Sequence, residues 1–162
     1  MLIDFTDVEA CHQWLVINDY VMGGISQSRI ERSLDATGLF RGSISLEYNG
    51  GFASIRRRVD NAEFIGAVGM MLRVKGDGRT YQFRVKTDEL YDGVAYRACF
   101  ATDIQQWQII TLPFDSFSAS FRGRAVPEAP ALRPEHIRQL GFMLADKKAG
   151  IFCLEIDWIK PF

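Results

Sequence analysis

Histidine and cysteine are scarce in this sequence, with two and three copies in 162 residues. His12 and His136 stand far apart, and neither has a second His or Cys at ligand spacing, so no metal site and no cofactor are expected. Cys11, Cys99 and Cys153 are odd in number and scattered, which argues against a disulfide framework and for reduced, buried thiols. Charge of one sign is also lacking: 19 Lys plus Arg stand against 20 Asp plus Glu, for a net charge of -1. No general field draws nucleic acid or an anionic membrane, and a partner must be recognised by a local patch. No apolar run approaches the roughly 20 residues that cross a bilayer. The opening MLIDFTDVEA carries acids where a secretory signal carries basic residues, and a cytoplasmic location is expected from that.

Helical periodicity is nearly absent as well, and period-two alternation takes its place. In TYQFRVKT, Tyr81, Phe83 and Val85 share one face while Gln82, Arg84 and Lys86 share the other, the pattern of a half-buried antiparallel strand. VAYRACF sets Val94, Tyr96, Ala98 and Phe100 against Ala95, Arg97 and Cys99; IFCLEIDWI sets Phe152, Leu154, Ile156 and Trp158 against Cys153, Glu155 and Asp157. Turn signals fall between such runs, at Asp35–Gly38, Asn49–Gly51, Gly76–Gly78 and Asp146–Gly150. Short helical turns are expected only near Val8–Trp14 and in RPEHIRQL, opened by Pro134. About eight or nine strands with so little helix indicate an all-β fold, an antiparallel two-sheet β-sandwich of jelly-roll type. Nothing divides residues 1–162, which read as one domain; 125–134 is a long surface connection.

The chemistry-bearing motifs are thin. GISQS at 24–28 has Ser28 where a nucleophile elbow needs its closing glycine. GDGR at 76–79 joins two strand patterns, whereas phosphate-binding glycine loops lead into a helix. Asp88, Glu89 and Asp92 cluster where solvated turn acids are commoner than an acid/base pair or calcium ligands. A hydrolase would need a set such as Ser26 with His12 and an acid, and no spacing demands one. The stretch INDYVMGGISQSR, with an apolar Val-Met expected to be buried, reads as a tight chain reversal. There Asn18 and Asp19 bond nearby backbone while Gly23 and Gly24 take left-handed φ or close packing.

An ordered series of residues carries a family resemblance across nearly the whole chain. It runs from Trp14, Asn18, Asp19, Met22, Gly23, Gly24, Ser26 and Ser28 through Phe40, Gly42, Ser45, Asn49, Gly50, Gly51, Phe52 and Ser54. It continues through GDGR, Tyr81, Tyr96, Trp107, LPF at 112–114 and FRGR at 121–124 to GFM at 141–143 and LEI at 154–156. The sequence resembles the complex I intermediate-associated protein 30 family. That resemblance implies a galactose-binding-domain-like jelly roll and a role in assembling respiratory NADH:ubiquinone oxidoreductase, and it transfers no catalytic residues.

The function expected is therefore a non-catalytic protein-interaction module with a chaperone-like hold on a protein partner, in the family's case a respiratory subunit. The alternative is a carbohydrate-binding module working through a polar sheet face. The working surface is expected on the polar face of the middle strands: Arg84, Lys86 and Arg97, with Arg122 and Arg124 of FRGR. Trp107 and Tyr91 are the candidate aromatic anchors, and Asp88, Glu89 and Asp92 are the acids that would otherwise pair with these arginines.

Overall fold

The computed structural model describes residues 2–87 and 94–162. In chain order its strands are β1 (Ile3–Asp4), β2 (Leu15–Asn18), β3 (Gln27–Arg32), β4 (Gly38–Ile44), β5 (Ala53–Arg58), β6 (Gly69–Lys75) and β7 (Thr80–Thr87). They continue with β8 (Ala95–Ala101), β9 (Trp107–Pro113), β10 (Ser118–Phe121), β11 (Arg124–Ala125), β12 (Ile137–Leu144) and β13 (Gly150–Pro161). One six-stranded sheet has the order β3-β4-β13-β6-β9, with β1 added on β13; a seven-stranded sheet has the order β11-β10-β8-β7-β12-β5-β2. The fold is thus the expected all-β antiparallel sandwich, with only short 3-10 turns and no α-helix among the described residues.

Aromatic rings line both inner faces, and Tyr81 of one sheet meets Phe152 of the other edge to face with centroids 6.4 Å apart; within each sheet neighbouring strands add further ring pairs. Phe83 meets Phe142 edge to face with centroids 5.3 Å apart, and Phe40 meets Phe152 at 5.0 Å, geometries worth about 0.5–1.5 kcal/mol each beyond burial. One contiguous cluster takes in residues from Ile3 to Ile159.

Two β-bulges account for two places where strand periodicity and structure part. RPEHIRQL is not helical beyond a 3-10 turn at Pro134–His136; it enters β12, whose register shifts between Ile137 and Gln139. The shift puts Ile137 and Leu140 on the same inner face three residues apart, a spacing that imitates a helix. In β13 the register shifts between Ile156 and Trp158, so Ile159 is buried in place of Trp158. Alternation holds from Phe152 to Ile156 and then reverses.

All three cysteines are free, but the expected burial does not hold: Cys11 and Cys153 are half-buried and Cys99 is exposed. Alternation on β8 places Cys99 opposite Phe100, and neighbours in sequence lie on the other face of a strand. Burial pushes the Cys11 and Cys153 thiols up, leaving little thiolate near neutral pH. In the native state a thiol reagent should label Cys99 first and the other two slowly, and in denaturant all three without reductant. Equal native rates would contradict this geometry.

Candidate functional site

The stretch after β2 is organised by one carboxylate. Asp19 is fully buried, and its Oδ1 accepts from the Ser26 N–H at 2.9 Å. Its Oδ2 accepts from the Ser26 hydroxyl at 2.5 Å and from the N–H groups of Gly51 at 2.7 Å and Phe52 at 3.3 Å. Burial alone would raise this carboxyl, but the Ser26 hydroxyl and those three N–H donors outweigh it and hold it below the usual carboxylate range. Glycine is required around it. A Cβ on Gly24 would fall 2.4 Å from Asp19 Cγ, and one on Gly50 would fall 2.6 Å from Asp19 Oδ2, while Gly23 takes a left-handed φ of 89° and Gly51 a φ of 132°. Asn18 Oδ1 similarly accepts from the Ser28 hydroxyl at 2.7 Å and from the Ser54 N–H at 3.4 Å. The family-signature residues are thus a structural knot tying residues 18–28 to 45–54. The Val-Met pair is not buried: Val21 and Met22 are 59% and 58% exposed, because the knot turns the loop outward.

Ser26 is 5% exposed, its hydroxyl committed to Asp19 and accepting from Ser45 N–H at 2.9 Å, so it has no free nucleophile geometry. His12 engages Glu9 at 2.6 Å on an exposed turn.

The outer faces of the two sheets differ in how charge is handled. On the six-stranded sheet four cations have an acid: Arg73 with Asp157 at 2.6 Å, Lys75 with Glu155 at 3.0 Å, and Arg41 and Arg29 both with Glu31, while Lys160 lies over the Trp158 ring at 4.8 Å and Arg32 donates to the Phe5 and Thr6 carbonyls. On the seven-stranded sheet strand register gives a row of Arg56, Gly141, Arg84 and Arg97 across β5, β12, β7 and β8. Neighbouring strands lie about 4.8 Å apart, so Arg84 and Arg97 are adjacent, and Arg56 is about 10 Å from Arg84 across a glycine. Lys86 stands one step along the same face. Among the described residues none of these four makes an ion pair; Arg84 donates to Gln82 Oε1 at 2.8 Å. Burial first, then the charge of Arg97, pushes the Arg84 guanidinium down; burial, then Arg56 and Arg84, pushes Lys86 down.

Two adjoining cavities, of about 720 and 180 Å³, lie over this face and share Phe52, Arg84 and Met143 in their walls. The larger gathers Arg84 and Arg97 from strands, Arg122 from the β10–β11 turn and Lys147 from the loop before β13, with Val21, Met22 and Leu46 among its apolar wall residues. The smaller carries Arg56 and Lys86. Arg124 is exposed on β11 and lines neither. Trp107 is on β9 of the other sheet, under Arg73 at 4.4 Å and Lys75 at 5.0 Å, and so does not join the arginines. Tyr91, like Asp88, Glu89 and Asp92, lies outside the described residues. Arg56 was legible in SIRRR, where alternation puts Ser54, Arg56 and Arg58 on one face, but Lys147, Phe52 and Met143 reach the cavity only through tertiary folding.

Comparison with known proteins places this architecture. The profile of the family described as complex I intermediate-associated protein 30 matches residues 3–156. A relative from Drosophila melanogaster named complex I intermediate-associated protein 30, mitochondrial, is 26% identical over 98% of this chain and 61% of its own length. The Mus musculus protein of that name is 27% identical over 98% of this chain and 54% of its own length, so the chain spans little more than half of these relatives. Among solved structures, the family 11 carbohydrate-binding module of a cellulosomal cellulase of Clostridium thermocellum superposes with a TM-score of 0.71 at 16% identity, covering 100% of this chain and 94% of that one. That likeness is one of fold. The expected cytoplasmic location is corrected here: the fly and mouse relatives, and that of Caenorhabditis elegans, are named as mitochondrial. The composition of a sandwich carries no address, since sorting signals are read apart from the fold.

Proposed function

This chain belongs to the complex I intermediate-associated protein 30 family, and from that premise we propose that it is a non-catalytic partner-binding module serving assembly of a respiratory complex. Its working surface in this reading is the outer face of the seven-stranded sheet, and its partner is a protein segment rich in acids. One observation carries the reading. In a chain with almost balanced charge, Arg29, Arg41, Arg73 and Lys75 of one sheet are paired with acids, while Arg56, Arg84, Lys86 and Arg97 are gathered on the other without one among the described residues. Like charges at that spacing repel, and a partner's carboxylates would relieve the repulsion. The carbohydrate alternative is the weaker reading, because Trp107, its candidate platform, faces away on the other sheet.

The test is retention of respiratory complex subunits from solubilised mitochondria on the tagged chain. Arg84→Glu with Arg97→Glu should abolish retention while the chain still unfolds in one cooperative transition, as a melting curve checks. Trp107→Ala should leave retention intact. Retention that survives the double reversal, or that falls only with Trp107, would overturn the assignment.

A further inference from the structure

We propose that the larger cavity is a receptor site for one compact dianionic group, of the phosphate monoester class, carried beside an apolar moiety. This inference rests on the reading of the cationic face above and gives its deepest part a specific ligand chemistry. Four cations from separate segments converge there: Arg84 and Arg97 opposite each other in register, Arg122 on a turn and Lys147 on a loop. No carboxylate lies among the described lining residues, whose side chains bring about four positive charges to the cavity. A monoanion would leave most of that charge unmet, whereas a phosphate monoester carries about −1.5 to −2 at neutral pH. Arginine forks match its oxygens in bidentate fashion. The volume, about 720 Å³, falls in the range of small-ligand sites.

The wall beside the cations is apolar and fixed. Phe52 is held by its N–H bond to Asp19, and Met143 follows Phe142 in the central strand β12. Val21, Met22 and Leu46 extend that wall outward from the two loops the Asp19 knot holds. An anionic head against the arginines and a ring or chain against Phe52 and Met143 uses both halves of the cavity. The shared chemistry could come from a phosphorylated side chain of the partner or from a free phosphate ester.

Phenyl phosphate, a dianion joined to a ring, is the probe, with inorganic phosphate and phenol as its separated halves. Titrated into the intact chain at low salt and followed by amide chemical shifts, it should bind at least about tenfold tighter than either half. The shifts should centre on Phe52, Gln82, Arg84, Arg97 and Arg122. Arg97→Gln and Arg122→Gln should each weaken it about tenfold or more, the second from a turn outside the sheet so that folding is not at issue, and Arg73→Gln on the other sheet should change nothing. Binding should fall as salt rises from about 50 to 200 mM. Displacement of retained respiratory subunits by phenyl phosphate would assign the site to the partner's own phosphate; simultaneous binding would assign it to a free ester. Shifts spread over every surface arginine, or binding indifferent to both cavity variants, would mean an adventitious ion only. Absence of binding with subunit retention still lost in Arg84→Glu/Arg97→Glu would overturn the anion site and leave the partner-binding face standing.

Discussion

Asp19→Ala should destabilise the fold by about 3–5 kcal/mol, lowering the melting temperature by roughly 10 °C or more for a chain of this size. The carboxylate is fully buried and accepts four hydrogen bonds, and its loss strands the N–H groups of Ser26, Gly51 and Phe52 in the protein interior. Asp19→Asn keeps the shape and should be nearly as harmful, since its amide NH2 would be turned toward donors. Gly24→Val should act through the same group, its Cβ meeting a carboxyl that four bonds prevent from moving aside. The pH dependence has a definite sign. The folded Asp19 carboxyl lies below its ordinary value of 3.8, so its contribution is complete above that value and drains away as pH falls beneath it. The stability gap between the native chain and Asp19→Asn should therefore narrow in acid below about pH 4. A gap that stayed constant, or a cost below about 1 kcal/mol, would show that the loops hold without the knot.

How far the sequence reveals this arrangement depends on the distance over which the physics acts. Alternation is a local property, so the inner faces of β7 and β8 and the juxtaposition of Arg84 with Arg97 were readable from TYQFRVKT and VAYRACF. The signature glycines pointed to a backbone constraint, and Asn18 and Asp19 to side chains bonding backbone. The partners at 51–54 lie more than thirty residues away and are invisible to any local pattern. The bulges in β12 and β13 erased periodicity where it was most needed, producing a false helix at Ile137–Leu140 and a misplaced Trp158. Nor does alternation say which sheet a strand joins. Trp107 and the arginines were assigned one surface because both occupy outer positions, but β9 pairs with β6 and β8 pairs with β7, so they belong to opposite sheets. The cavity needed three such facts at once: the register row, the outward turn of Val21–Met22, and a loop that brings Lys147 over the sheet.

That loop is held by Arg79, and Arg79→Met should cost about 3–5 kcal/mol, because breaking a buried pair leaves an uncompensated charge behind. The guanidinium grips Asp146 with a fork, Nε to Oδ2 at 2.9 Å and Nη2 to Oδ1 at 2.7 Å, and the two side chains are only 12% and 10% exposed. It also donates to the carbonyls of Ile151 at 3.1 Å, Gly150 and Lys148, so one side chain closes the whole connection between β12 and β13. The hydrogen bonds that Arg79 donates to Asp146 raise the arginine, and Arg79 in turn outweighs burial to hold Asp146 below the usual carboxylate range. Arg79→Lys should restore little, since an ammonium cannot make the fork and reach the carbonyls together. Arg79→Met with Asp146→Leu should recover much of the loss, and the coupling read from that cycle separates the buried charge from lost packing. Lys147 sits in this connection with a left-handed φ of 61° and contributes to the cavity wall. The Arg79→Met chain, measured at a temperature where it remains folded, should therefore bind phenyl phosphate several-fold more weakly although Arg79 lines neither cavity. Unchanged binding in a destabilised Arg79→Met chain would mean that Lys147 is positioned by its own backbone and that the clamp serves stability alone.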